Sequence, residues 1–208
     1  MKIMETNRCL ISENELTIDR LTVEDAHSMT NWANHENELF IDYNLGGYSK
    51  NFLTLWYYSK GIGFRNKYYG VKIHGELIGY IGIKDISYFK KASVLGIVFN
   101  PAYTSQGYGY RALNLFLKYY FDVLKMKEMT LDVNLFNERA IKLYKKLGFK
   151  YKFEYLSLFE NQQIDFENPL YEQYREYFVI SSGKIYSKIH CMALTKIDYE
   201  LGAVKNDF

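Results

Sequence analysis

The run Gln106-Gly107-Tyr108-Gly109-Tyr110 places two glycines where an apolar segment ends and an amphipathic one begins, a spacing that suits anion binding. A strand that feeds a helix through glycines leaves backbone N–H groups at the helix start, where the macrodipole adds partial positive charge. The anion this chemistry favours is a phosphate. The same glycines also suit a tight turn of positive φ with no ligand. Two nucleotide motifs are excluded. A P-loop needs Lys and then Ser or Thr after its last glycine, whereas Gly109 is followed by Tyr110 and Arg111; the dinucleotide fingerprint lacks its third glycine.

A second run, Asn137-Glu138-Arg139-Ala140-Ile141-Lys142-Leu143-Tyr144-Lys145-Lys146-Leu147-Gly148-Phe149, announces a helix at both ends. Asn137 is a capping residue, Glu138 sits in the first turn, lysines fill the last turn, and Gly148 follows as the stop. Cysteines and histidines suggest no comparable chemistry. Cys9 and Cys191 form no C-x-x-C pair, and His27, His35, His74 and His190 show no ligand spacing, so neither a disulfide framework nor a metal is expected.

The elements that must hold these runs follow from periodicity. Leu16 and Ile18 alternate as a first strand, and Thr22 opens a helix with Val23, Ala26, Met29 and Ala33 on one face. A short helix follows Ser49, with Phe52, Leu55 and Trp56 inward. Tyr69 to Ile73 and Leu77 to Ile83 form a hairpin about His74-Gly75-Glu76, and Val94 to Phe99 extends it to a meander closed by Asn100-Pro101. After the glycine turn, Leu113, Phe116, Leu117, Tyr120 and Leu124 recur at helical spacing, and Thr130 to Leu135 is a further strand. Tyr174 to Ser181 and Ile185 to Thr195 close the chain as a hairpin, after a polar stretch from Glu154 to Gln173.

This order, taken with the two runs, resembles the GNAT acetyltransferases, and within them the branch of ribosomal-protein N-terminal acetyltransferases and their relatives. The resemblance covers about Glu15 to Lys196. It implies an α/β fold of the α+β mixed-sheet kind: a central, mostly antiparallel twisted sheet with one splayed parallel strand pair and flanking helices. The domain then spans 15–196, with an inserted segment at about 154–173, an N-terminal extension at 1–14 and a C-terminal tail at 197–208.

The resemblance also implies acetyl-coenzyme A as co-substrate, held where Val94 to Phe99 and Thr130 to Leu135 splay apart. Pyrophosphate would lie on Gly107, Tyr108, Gly109, Tyr110 and Arg111 beside Gln106. The pantetheine arm would pair with Ile97, Val98 and Phe99, and Asn137 would bond that arm. The implied activity is transfer of acetyl to a primary amine of a small molecule or a protein N-terminus, by direct attack in a ternary complex. A non-catalytic acyl-coenzyme A sensor or interaction module is the alternative.

Such a transfer needs a neutral amine, charge stabilisation at the thioester oxygen and a proton for the departing thiolate. Tyr144 occupies the family's general-acid position, and a phenol of ordinary pKa about 10 can protonate a thiolate formed beside it. Read from spacing alone, Tyr144 is equally a core residue in line with Ile141 and Leu147. Two departures from the family pattern stand out. Arg111 replaces a small residue and either bonds phosphate or points to solvent, and Val94 stands where relatives often carry a glutamate. His35, Glu36 and Glu38 either face the acceptor or are solvated surface.

The chain has 208 residues, 48% hydrophobic, enough for a sizeable core without a partner. A formal charge of +2 gives no compositional push toward nucleic acid or an anionic membrane. No signal-peptide core or apolar run of spanning length is present, so a cytoplasmic protein is expected. The expected partners are acetyl-coenzyme A, an amine that the residues leave open, and a second copy of the chain in a homodimer, with no nucleic acid and no membrane.

Overall fold

The computed structural model describes residues 9–206, which fall into two compact units. The first runs to residue 34 and resumes from 43 to 129; the second takes 35–42 and the chain from 130 onward. Expectations for residues 1–8 and 207–208 lie outside the described residues.

In the first unit, β1 (Cys9–Glu13), β2 (Leu16–Arg20), β3 (Lys67–Ile73), β4 (Glu76–Ser87) and β5 (Ala92–Phe99) each pair antiparallel with the next. Residues 9–13, read from sequence as part of an extension, are thus the first strand of the sheet. Short turns join β1 to β2, β3 to β4 and β4 to β5, since antiparallel neighbours need no more, whereas β2 reaches β3 only after the chain has formed two helices. The Tyr68 ring of β3 lies over Gly82 of β4, where a Cβ would stand 2.5 Å from Tyr68 Cε1.

The helix α1 (Val23–Ser28) carries the expected start at Thr22, as a capping box with Asp25. It is shorter than its apolar pattern suggests: the chain turns into a 3-10 segment at Met29–Asn31, and Ala33 is exposed. Trp32 follows in extended conformation, its indole donating to the Leu77 carbonyl at 3.1 Å. The helix α2 (Lys50–Ser59) begins after Ser49 as expected, but its buried residue is Leu53, with Trp56 and Tyr57 packed beside it. Phe52 and Leu55, expected inward, are exposed.

The helix α3 (Tyr108–Lys118) buries Ala112, Leu113, Leu115, Phe116 and Leu117, and passes into a π-helical turn at Tyr119–Val123. Each large side chain buried there stabilises the unit by about 1.5–3 kcal/mol. Tyr120, fully buried, shares a hydrogen bond with Ser93 Oγ at 2.9 Å and donates to the Glu128 carbonyl at 2.6 Å. That phenol ties the end of α3 to the start of β5.

The second unit contains β6 (Glu128–Asn134) from Thr130 onward, α4 (Glu138–Lys146), β7 (Lys150–Leu158), α5 (Pro169–Glu172), β8 (Phe178–Ser181), β9 (Lys184–Thr195) and α6 (Lys196–Asn206). The strand β9 lies between β6 and β7, and β8 also pairs with it. Three sequence expectations change here. The stretch 150–158 is a strand, the closing hairpin begins at Phe178 because Arg175–Tyr177 forms a 3-10 turn, and the presumed tail from residue 197 continues α6. Much of the presumed insertion is core: Phe159, Ile164 and Tyr171 pack with Leu39, Phe136, Phe178 and Ile185.

Candidate active site

The glycine turn of the first unit leads directly into α3. Gly107 is the residue before α3, with φ +84° and nothing within 4 Å of where a Cβ would stand. That left-handed conformation is open to glycine at no steric cost. The first helical hydrogen bond runs from the Arg111 amide to the Gly107 carbonyl at 3.1 Å. The amides of Gly107, Tyr108 and Gly109 precede it in the chain, while the amide of Arg111, expected among the phosphate donors, is spent inside the helix.

Neighbouring side chains brace this turn. Buried Asn100 accepts from the amides of Ala33 and Ala102, both at 3.1 Å, and so fixes the path by which β5 leaves the sheet. Gln106 donates to the Ala102 carbonyl at 2.7 Å, and the Tyr103 and Tyr108 rings meet edge to face. Tyr110 is half-buried. The Arg111 Nη1 binds Glu15 Oε1 at 2.7 Å. The hydrogen bond from Arg111 holds the Glu15 carboxyl below its usual range and raises the guanidinium's own pKa in return.

Ile97, Val98 and Phe99 are half-buried at the end of β5, opposite Ile81, Tyr80 and Gly79 of β4. Val94, also half-buried, pairs with Lys84.

The second unit holds the other expected residues. Asn137 caps α4, its Oδ1 accepting from the Ala140 amide at 3.2 Å. Tyr144 is buried on the inner side of α4, edge to face with Phe149. An open groove of about 790 Å³ lies in this unit; His35, Phe40, Asn137, Arg139, Tyr174 and Tyr177 line it. Burial, and secondarily the Arg139 charge, lowers the His35 pKa, so the imidazole is neutral near pH 7. Glu36 is exposed and is not among the residues lining the groove. Glu38 lies outside it too; its carboxylate accepts from Asn161 Nδ2 at 3.2 Å and its amide meets the Tyr171 hydroxyl at 3.4 Å.

Sequence reasoning missed Asn134, Tyr174 and Tyr177. Asn134 ends β6, and its Oδ1 is buried without a hydrogen-bond partner. A buried acceptor of that kind costs about 1–3 kcal/mol unless a donor reaches it, and an amide N–H of a bound ligand fits the need. The two tyrosines lie in a stretch read as strand, and no local pattern marks them as groove residues. Among the described residues no cluster of His, Cys, Asp and Glu could hold a metal ion.

Comparison with known proteins agrees with this geometry. The Acetyltransferase (GNAT) family profile matches residues 26–149, which include both the glycine turn and the Asn137 helix. The chain belongs to the GNAT acetyltransferase family. Spermidine N(1)-acetyltransferase of Escherichia coli K12 is 33% identical over 89 residues, 43% of this chain and 48% of that protein. An N-alpha-acetyltransferase of Sulfurisphaera tokodaii is 32% identical over 93 residues, 40% of this chain and 56% of that protein. The chain thus matches about half the length of these curated relatives. The crystal structure of spermidine N-acetyltransferase from Vibrio cholerae in complex with CoA and spermine shares the fold, with a TM-score of 0.67 at 20% identity, covering 90% of this chain and 99% of the other.

Proposed function

We propose that this protein is an N-acetyltransferase that moves the acetyl group of acetyl-coenzyme A to a primary amine of a small molecule or of a protein N-terminus. The observation that carries the reading is the left-handed Gly107 turn opening α3, inside a family match that also spans the capped helix at Asn137. Coenzyme A supplies the activated thioester. The amides of Gly107, Tyr108 and Gly109 hold its pyrophosphate, the backbone of Ile97 to Phe99 its pantetheine arm, and Asn137 and the unpartnered Asn134 Oδ1 bond that arm.

In the reaction the amine nitrogen forms a bond to the thioester carbonyl carbon, the carbon–sulfur bond breaks, and the electron pair leaves on the thiolate. Tyr144 gives its phenolic proton to that thiolate. His35, neutral near pH 7, accepts the proton that the acceptor ammonium must lose before its nitrogen attacks, and the second proton, shed as the amide forms, passes through water to restore the Tyr144 phenol; the half-buried Val94 leaves no carboxylate at its position on β5 for the first task. The aromatic groove beside His35 receives the carbon skeleton of the amine. Cytoplasmic location and a homodimer belong to the same proposal.

The relatives' names point to two amine classes, polyamines and protein α-amines, the latter in keeping with the resemblance to the ribosomal-protein branch. Thiol release from acetyl-coenzyme A against spermidine, spermine, amino acids, aminoglycosides and N-terminal peptides tests the proposal. Turnover with any of these supports it. Tight cofactor binding with no turnover across the panel overturns it in favour of an acyl-coenzyme A sensor, the reading that Val94 encourages.

A further inference from the structure

The formal charge of the chain is close to balanced, yet the structure gathers cations and exposed rings at one end of the first unit. The β4–β5 hairpin ends in Tyr88 and Phe89, and Phe89 is 98% exposed. Beside it the loop from α2 to β3 presents Ile62 and Phe64, the latter 77% exposed. Loop and hairpin are joined in one tip: Tyr88 Oη donates to the Phe64 carbonyl at 2.8 Å, their rings lie 4.7 Å apart, and the Ile86 amide donates to the Arg65 carbonyl.

Basic residues lie on the segments that carry the rings and on the turn joined to them. Lys84, Lys90 and Lys91 come from the hairpin, and Arg65 and Lys67 from the loop, with the Lys67 ammonium 5.8 Å from the Tyr88 ring centroid. Lys125 and Lys127 join them from the turn after α3, because the Lys127 amide donates to the Lys91 carbonyl at 2.7 Å. Asp85, Asp122 and Glu128 are the carboxylates carried by these same segments, and Asp85 already faces Arg65. The tip is therefore cationic, with apolar side chains at its apex. It precedes β5, whereas the Gly107 turn follows it, so the length of that strand, roughly 25 Å, separates the two.

We propose that this tip docks the protein on an anionic bilayer surface. Lysines and arginine meet lipid phosphate and carboxylate groups, while Phe89, Phe64 and Ile62 enter the headgroup region, where isolated rings and aliphatic chains lose their contact with water. A single-stranded nucleic acid fits less well. Base stacking needs successive open ring faces, and the Phe64 and Tyr88 rings are packed against each other. The attachment is peripheral, as no helix among the described residues is long and apolar enough to cross a membrane.

Co-sedimentation of the full chain with vesicles tests this, using phosphatidylcholine alone and phosphatidylcholine with about one third phosphatidylserine. The expected result is binding to the anionic vesicles only, weakened by roughly ten-fold or more in about 0.5 M salt. Phe89→Ser, and separately Lys90→Glu with Lys91→Glu, should each lower binding by roughly ten-fold, without loss of helical circular dichroism or of coenzyme A binding. Equal binding to neutral vesicles, no binding to either, or binding that the variants leave intact overturns the proposal. So does retention of a fluorescent single-stranded oligonucleotide when the anionic vesicles are not bound.

Discussion

Tyr144 shows why a residue's chemistry and its packing are separate questions. It is 7% exposed and rests on Phe149, so replacing it by phenylalanine keeps the ring contacts and removes only the hydroxyl. Tyr144→Phe is expected to lower turnover by about 10²-fold or more with coenzyme A affinity retained; unchanged turnover in a chemistry-limited assay would take Tyr144 out of the mechanism. His35 carries a different signature, one of stability. Its pKa is lowered in the folded state, so as pH falls the unfolded chain takes up this proton first. Stability associated with His35 is present above its ordinary pKa of about 6.5 and is lost as pH falls through that value toward the lower folded pKa. His35→Gln should flatten the dependence of urea midpoint on pH below neutrality, and an identical slope in the variant would show that His35 is not the group responsible.

At the scale of the element, the turn into α3 separates conformation from ligand binding. Gly107 has open space where a Cβ would stand but a left-handed φ, so Gly107→Ala meets backbone strain without collision. The expected cost is about 1–2 kcal/mol, read from a denaturant midpoint. Gly109→Asp acts on the ligand instead: a carboxylate in the first turn of α3 repels phosphate while suiting the helix dipole. Calorimetry should show coenzyme A affinity falling with folding stability preserved, and unaltered affinity would move the pyrophosphate elsewhere. Arg111, by contrast, has a side-chain partner far from it in sequence. Its ion pair joins α3 to the turn between β1 and β2, an arrangement that no spacing within the glycine run discloses.

For the molecule as a whole, the segment 154–173 matters most to expectation. In the sequence it reads as a polar insertion, yet Phe159, Ile164 and Tyr171 are buried in the core of the second unit. Deleting it should therefore abolish cooperative unfolding of that unit, where a removable cover would leave a folded enzyme with an altered acceptor Michaelis constant. A melting curve of the deletion variant decides between the two.

The sequence by itself determined the elements whose signals are local. Thr22 with Asp25, Ser49, Asn137 and the Gly148 stop mark helix ends because capping involves residues within a few positions of one another. The alternation from Tyr69 to Phe99 likewise marks a meander, since a sheet face repeats every second residue. What spans greater separations could be decided only by the tertiary structure. The strand β7 stands outside β9 with most of its residues exposed, so it shows no alternation of burial, and its pairing rests on a partner strand across the intervening 159–183 segment. His35 reaches its groove with Arg139 and Tyr174 because residues 35–42 pack into the second unit. The cationic aromatic tip has the same origin. A near-neutral total charge averages over the whole chain, while hydrogen bonds from Ile86 to Arg65 and from Lys127 to Lys91 bring three distant segments to one end.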